Sequence, residues 1–158
     1  RVLEAIALGA TRIGHGVQIA MGERANEQMA AVVGRGGAGS RSGIGAQAGM
    51  AEQTGRTVHF EVCPTSNTHT GVCQHLSEHP LPVMWAAGLE LSIHTDNRLI
   101  SGVSHSEELA NVHRVLGWPL AAIAPSMRSA AQASFLPAAA RDAAMVRISA
   151  WEQERVTQ

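Results

Sequence analysis

Apolar residues recur along the chain in short blocks whose spacing alternates between helical and strand-like. Val2, Leu3, Ile6 and Leu8 fit a helix over Arg1 to Leu8, and Gly9 follows where a helix C-terminal glycine belongs. Arg12-Ile13-Gly14 is a very short strand candidate that runs straight into His15-Gly16. From Glu23 to Val33, the residues Ala25, Met29, Val32 and Val33 share one helical face. Val58 to Cys63 alternates partly and stops at Pro64, which predicts a strand. Leu81 to Ala87, opened by prolines and closed by Gly88, predicts a short helix, and Leu89 to His94 the next strand. Ser104 and Glu107 stand at capping-box spacing, so a helix is expected over His105 to Leu116. Pro119 to Ala124 reads as a connection. Two further helices are expected over Pro125 to Phe135 and Pro137 to Val156, each with proline in its first turn, where it is tolerated.

Strands and helices in alternation predict βαβ units and a parallel sheet. In such folds chemistry gathers where strands end. Three strand ends here carry unusual residues: Gly14-His15-Gly16, the run from Glu61 to Asn67, and His94-Thr95-Asp96-Asn97. Between the second helix and second strand, Gly34 to Gly49 holds seven glycines in sixteen residues and reads as a loop or insertion. A short alanine-rich helix is expected around Ala46 to Gln53.

Composition narrows the possibilities. At 158 residues, 45% hydrophobic and 16% charged, the chain can bury one sizeable core. No apolar run reaches the roughly 18 residues of a membrane span. A net charge of −1 without a basic cluster argues against a nucleic-acid partner. Two cysteines are too few for a disulfide framework, which makes a reducing cytoplasm the default.

Among the strand-end residues, Asp96 follows the apolar Leu91 and Ile93. A carboxylate there is costly to bury unpaired, and a metal or charged partner would offset that cost. A cap on the following turn is the plainer reading. His15 lies between two glycines that let a substrate or metal approach closely. Taken together, a His and an Asp on neighbouring strand ends are a common zinc pairing.

Other motifs lack their context. The run Gly34 to Gly39 fits G-x-G-x-x-G but follows a helix instead of a strand. His59-Phe60-Glu61 matches half of a cytidine-deaminase zinc signature without its P-C-x-x-C partner, and reads as half-buried structure. His69, Cys73, His75 and His79 match no common zinc spacing and read as a solvated loop. Arg98, Glu107 and Glu108 read as surface or capping charges, and Trp85, Trp118 and Trp151 as packing residues.

Arg12-Ile13-Gly14-His15-Gly16, then Glu61 to Asn67 with Thr70-Gly71, then Thr95-Asp96-Asn97 resemble the last three strand-end motifs of the adenosine deaminase family. They occur in the family's order. His79-Pro80-Leu81-Pro82 and Ala87-Gly88-Leu89 resemble the helix leading into its last strand, and Thr95 to Ser101 looks most like bacterial members. The likeness extends from residue 1 to about 155.

The resemblance implies an α/β fold: a C-terminal fragment of a (β/α)8 TIM barrel, covering roughly strands 6 to 8, with residues 1–158 forming part of one domain. It implies zinc (Zn2+) as cofactor, with Asp96 as a metal ligand, His15 as the catalytic residue beside the attacking water, and Asn97 as a purine contact. Zinc would bring the pKa of bound water to roughly 7. The hydroxide would then attack purine C6 and expel ammonia. His94 departs from the Asn common two residues before the zinc Asp.

The family's His-x-His and His-Ala-Gly-Glu motifs do not occur in this chain. With no initiator Met and a start inside a helix, it reads as a piece of a longer protein. The isolated piece is expected to be inactive and to bind no zinc tightly. The expected substrate is a small-molecule purine nucleoside, adenosine, with adenine or a related purine as the alternative. A catalytically dead remnant serving as a binding module is the rival class. A flavodoxin-like nucleotide binder would need phosphate-binding loops that are missing.

Overall fold

The computed structural model describes residues 1–33 and 57–156. The glycine-rich stretch 34–49, the G-x-G-x-x-G run and the helix expected around 46–53 lie outside these residues. Three strands, β1 (Arg12–Gly14), β2 (His59–Val62) and β3 (Glu90–Ile93), form a parallel sheet in the order β1-β2-β3. The helices are α1 (Val2–Ala7), α2 (Ala25–Val33), α3 (Pro64–His69), α4 (Leu81–Ala86), α5 (Arg98–Ser101), α6 (His105–Leu116), α7 (Ile123–Ala133) and α8 (Ala138–Val156). The βα alternation expected from the pattern is present. Among the described residues, no helix is long and apolar enough to cross a membrane.

Strand side chains alternate between faces, so each strand splits into two sets. Phe60 and Val62 of β2, with Leu91 and Ile93 of β3, are buried against Met29 and Val32 of α2, Leu81 and Met84 of α4 and Val112 of α6. Each fully buried side chain of this size contributes about 1.5–3 kcal/mol. Trp118 is buried in this core and meets Trp85 edge to face at 5.5 Å, as packing residues should.

The second face is polar. The parallel register places Arg12, His59 and Glu90 in one row and Gly14, Glu61 and Ser92 in the next. Arg12 pairs with Glu61. His59 Nε2 lies 2.7 Å from Ser92 Oγ, and Ser92 Oγ lies 2.5 Å from His94 Nε2. Ser129 of α7 reaches His59 Nδ1 at 3.0 Å and donates to Glu90 Oε2 at 2.9 Å. His59 is held by this network and is buried more deeply than the half-buried position expected from its sequence context. Burial pushes the His59 and His94 pKa values below the ordinary histidine range. His94, the departure from the family pattern, belongs to this network.

Local chemistry accounts for the helix ends. Ser104 Oγ accepts from Glu107 N–H at 3.2 Å, and Glu107 Oε2 accepts from Ser104 N–H at 2.7 Å, which completes the expected capping box at the start of α6. α7 and α8 pack through Ala124, Ala131 and Ile148, and Arg128 binds Glu152 across them. The α3 helix stands where the sequence pattern predicts no element. Its sequence, Pro-Thr-Ser-Asn-Thr-His, has no apolar period. Proline opens it, and the Thr68 and Thr70 hydroxyls donate back to backbone carbonyls.

Candidate active site

Three loops meet where the strands end. The sheet ladder continues beyond β1 and β3: His15 N–H donates to the Glu61 carbonyl at 2.9 Å, and His94 N–H to the Val62 carbonyl at 2.8 Å. These bonds set the height at which each loop leaves the sheet. Gly16 turns the first loop with φ at +64°, and a Cβ there would stand 2.6 Å from Phe60 Cδ1 and 2.8 Å from Ile13 Cγ2. Only glycine fits that position. His15 and Asp96 both hold φ at +57°, a left-handed conformation that L-residues seldom adopt and that clusters at functional sites.

The result is a contact between residues from two different strand ends. His15 Nε2 lies 3.6 Å from Asp96 Oδ2. Between them in the sheet order comes α3, whose Ser66 hydroxyl donates to Asp96 Oδ2 at 2.7 Å. That hydrogen bond is the main reason the Asp96 carboxyl is held below its usual range; a backbone bond at Asn97 and the nearby His15 act in the same direction. Asp96 is thus a carboxylate at neutral pH. The side chains of His15 and Asp96 are 38% and 42% exposed, so Asp96 is not the buried carboxylate its apolar neighbours suggest. Its ionised form is maintained by Ser66 at an accessible surface.

Asn97, the third expected site residue, is the N-cap of α5. Its Oδ1 accepts from Leu99 N–H at 3.0 Å.

Two further residues have roles that their sequence context hid. His79 is buried, with Nε2 3.1 Å from Asn67 Oδ1 and Nδ1 accepting from Leu81 N–H at 3.0 Å. Asn67 Nδ2 in turn lies 3.1 Å from His15 Nδ1. Burial lowers the His79 pKa to about 4, and the nearby His15 adds to the effect. The solvated-loop reading of His69, Cys73, His75 and His79 is corrected on this point: His69 and His75 are exposed, but Cys73 and His79 are buried. Glu108 is not the surface or capping charge that its sequence position suggests. It is fully buried, accepting from Thr65 N–H at 2.8 Å and Thr65 Oγ1 at 2.5 Å, so it anchors the start of α3.

The chemistry open to this site is limited. The Cys63 thiol is pushed up to about 12, mainly by burial, and is no nucleophile at neutral pH. Among the described residues, no group of three or more His, Cys, Asp or Glu side chains stands ready to hold a metal. The ionised, accessible Asp96 oxygen beside an imidazole suits one corner of a zinc site, but this donor set does not close a coordination sphere.

Parallel βα units with polar side chains gathered at the C-terminal ends of their strands define an α/β protein. The fold is similar to the crystal structure of adenine deaminase from Arthrobacter aurescens, with a TM-score of 0.72 and 23% identity, over 96% of this chain and 39% of that one. The adenosine deaminase family profile matches residues 1–151, and the chain belongs to that family. It is 30% identical over 135 residues to an adenosine deaminase of Mycobacterium sp. (strain KMS), covering 85% of this chain and 34% of the relative. To an adenosine deaminase of Shewanella loihica it is 31% identical over 136 residues, covering 86% of this chain and again 34% of the relative. The chain thus spans about a third of the length of these relatives.

Proposed function

We propose that this chain supplies strands 6 to 8 of a barrel domain that hydrolyses adenosine to inosine and ammonia, with residues 34–49 as a loop or insertion in it. The observation that carries the reading is the pairing of His15 with the Ser66-held Asp96 across the strand ends. Family membership supports a purine as substrate.

In this reading Asp96 is one zinc ligand, kept ionised by the Ser66 hydroxyl. Zinc bound there supplies Lewis acidity, allowing water to ionise near neutral pH. His15 stands beside Asp96, where its Nε2 is placed to orient the attacking water and steady the charge that develops on it. Asn97 Nδ2 donates to the purine ring. Water adds at C6, the C6–N bond breaks, and the amino group leaves as ammonia. The chain carries neither His-x-His nor His-Ala-Gly-Glu, so in this scheme the remaining ligands and the acid that protonates the ring come from other sequence. Both cysteines are free thiols, which supports a cytoplasmic setting.

The test is ammonia release by the full-length protein with zinc, offered adenosine and adenine side by side. Turnover of adenosine in preference supports the assignment. Preference for adenine moves the substrate within the purines, and no release from either purine overturns the reading.

A further inference from the structure

We infer that His79 and Asn67 are positioning residues that fix which ring nitrogen of His15 carries its proton, leaving Nε2–H directed toward Asp96. This deepens the proposed function, in which His15 acts beside Asp96. The assignment follows from one group whose polarity is fixed. A backbone N–H can only donate, and Leu81 N–H lies 3.0 Å from His79 Nδ1. That nitrogen must therefore offer its lone pair, and the proton of the neutral ring sits on Nε2. His79 Nε2–H then donates to Asn67 across 3.1 Å, which makes the Asn67 atom there its carbonyl oxygen.

The other arm of Asn67 is consequently its NH2 group, and it donates to His15 Nδ1 at 3.1 Å. His15 Nδ1 must accept, so its single proton is carried by Nε2, the atom 3.6 Å from Asp96 Oδ2. The direction of every bond is inherited from Leu81. Reversing the His15 tautomer would set two donors against each other at Asn67 Nδ2, or require the amide to flip and lose His79. The upstream half of the relay is buried: His79 is 3% and Asn67 2% exposed. Burial also keeps His79 neutral, as its accepting Nδ1 demands. A second-layer partner that sets the tautomer of a site histidine is a recurrent device.

The test uses the full-length protein with labelled histidine nitrogens, observed by long-range proton–nitrogen NMR at about pH 8, where an ordinary histidine is neutral. The expected spectrum shows His15 Nδ1 unprotonated and Nε2 protonated. Asn67→Asp replaces a donor arm with an acceptor and is expected to move the His15 proton to Nδ1. His79→Leu, which removes the donor, is expected to lower kcat about 10–100-fold with KM little changed. His79→Gln, which can still donate to Asn67, is expected to recover most of that loss. A native His15 protonated on Nδ1, or an Asn67→Asp variant with the native pattern, overturns the relay. So does a His79→Leu variant with unchanged kcat. The two readings fail separately: the tautomer is observed without substrate, whereas purine turnover is measured without reference to the tautomer.

Discussion

His15 and Asp96 share a backbone conformation as well as a contact, each holding φ at +57° with 3.6 Å between Nε2 and Oδ2. At an ordinary position alanine is more stable than glycine by about 0.5–1 kcal/mol, because glycine loses more freedom on folding. At these two positions the order reverses, because the left-handed conformation costs a residue with a Cβ about 1–2 kcal/mol. His15→Gly is therefore expected to be more stable than His15→Ala by about 1 kcal/mol, and likewise at Asp96. Each pair deletes the same side-chain contacts, so the difference isolates the backbone. Urea unfolding of the four variants checks it, and alanine equalling glycine at both sites would count against strain there.

Gly14 and Gly16 flank His15 but differ in what surrounds them. A Cβ at Gly16 meets Phe60 and Ile13 well inside contact distance, whereas one at Gly14 meets nothing within 4 Å. Gly16→Ala is expected to cost about 2–4 kcal/mol from overpacking and backbone strain together. Gly14→Ala is expected to stay within about 0.5 kcal/mol of the native protein. Equal unfolding midpoints for the two variants would contradict this account of the loop.

Glu108 holds the start of α3, the helix that carries Ser66 and Asn67. Glu108→Ala leaves the N–H of the half-buried Thr65 without its acceptor, an expected loss of about 1–3 kcal/mol. Glu108→Gln keeps one acceptor oxygen and should lose less. Denaturant unfolding ranks the three proteins. Loss of equal size in both variants would mean that the Thr65 bonds are not what Glu108 contributes.

The buried His79 also makes stability depend on pH. Its folded pKa of about 4 lies below the ordinary 6.5, so the unfolded chain takes up the proton first as pH falls. The contribution is complete above about pH 6.5 and is lost progressively toward pH 4, a change on the order of 3 kcal/mol. His59 and His94, also pushed down by burial, act in the same direction. His79→Gln cannot titrate and is expected to flatten the fall in urea midpoint between about pH 7 and pH 5. A variant that parallels the native curve would show that His79 is not the group responsible.

The residues that were legible in the sequence are those whose reasons are local. The alternation in β2 and β3, the Ser104–Glu107 capping box and the run of Gly14-His15-Gly16 depend on neighbours a few positions away. Glu108 and His79 do not. Glu108 meets Thr65 from 43 positions away, and His79 matters through Asn67 and then His15. A buried polar side chain has the same one-dimensional pattern as an exposed one until its partner is placed. α3 was hidden for a related reason: it is held by Glu108 and threonine hydroxyls instead of an apolar stripe. The left-handed backbone at His15 and Asp96 left no trace either, because neither is a glycine.

The most direct test of the central claim compares ammonia release from adenosine by the full-length, zinc-loaded protein and its Asp96→Ala and His15→Ala variants. Measurable release by the native protein is predicted, abolished by Asp96→Ala and lowered about 100-fold or more by His15→Ala. Native rates in the Asp96→Ala variant, or no release of ammonia by the native protein, would contradict it.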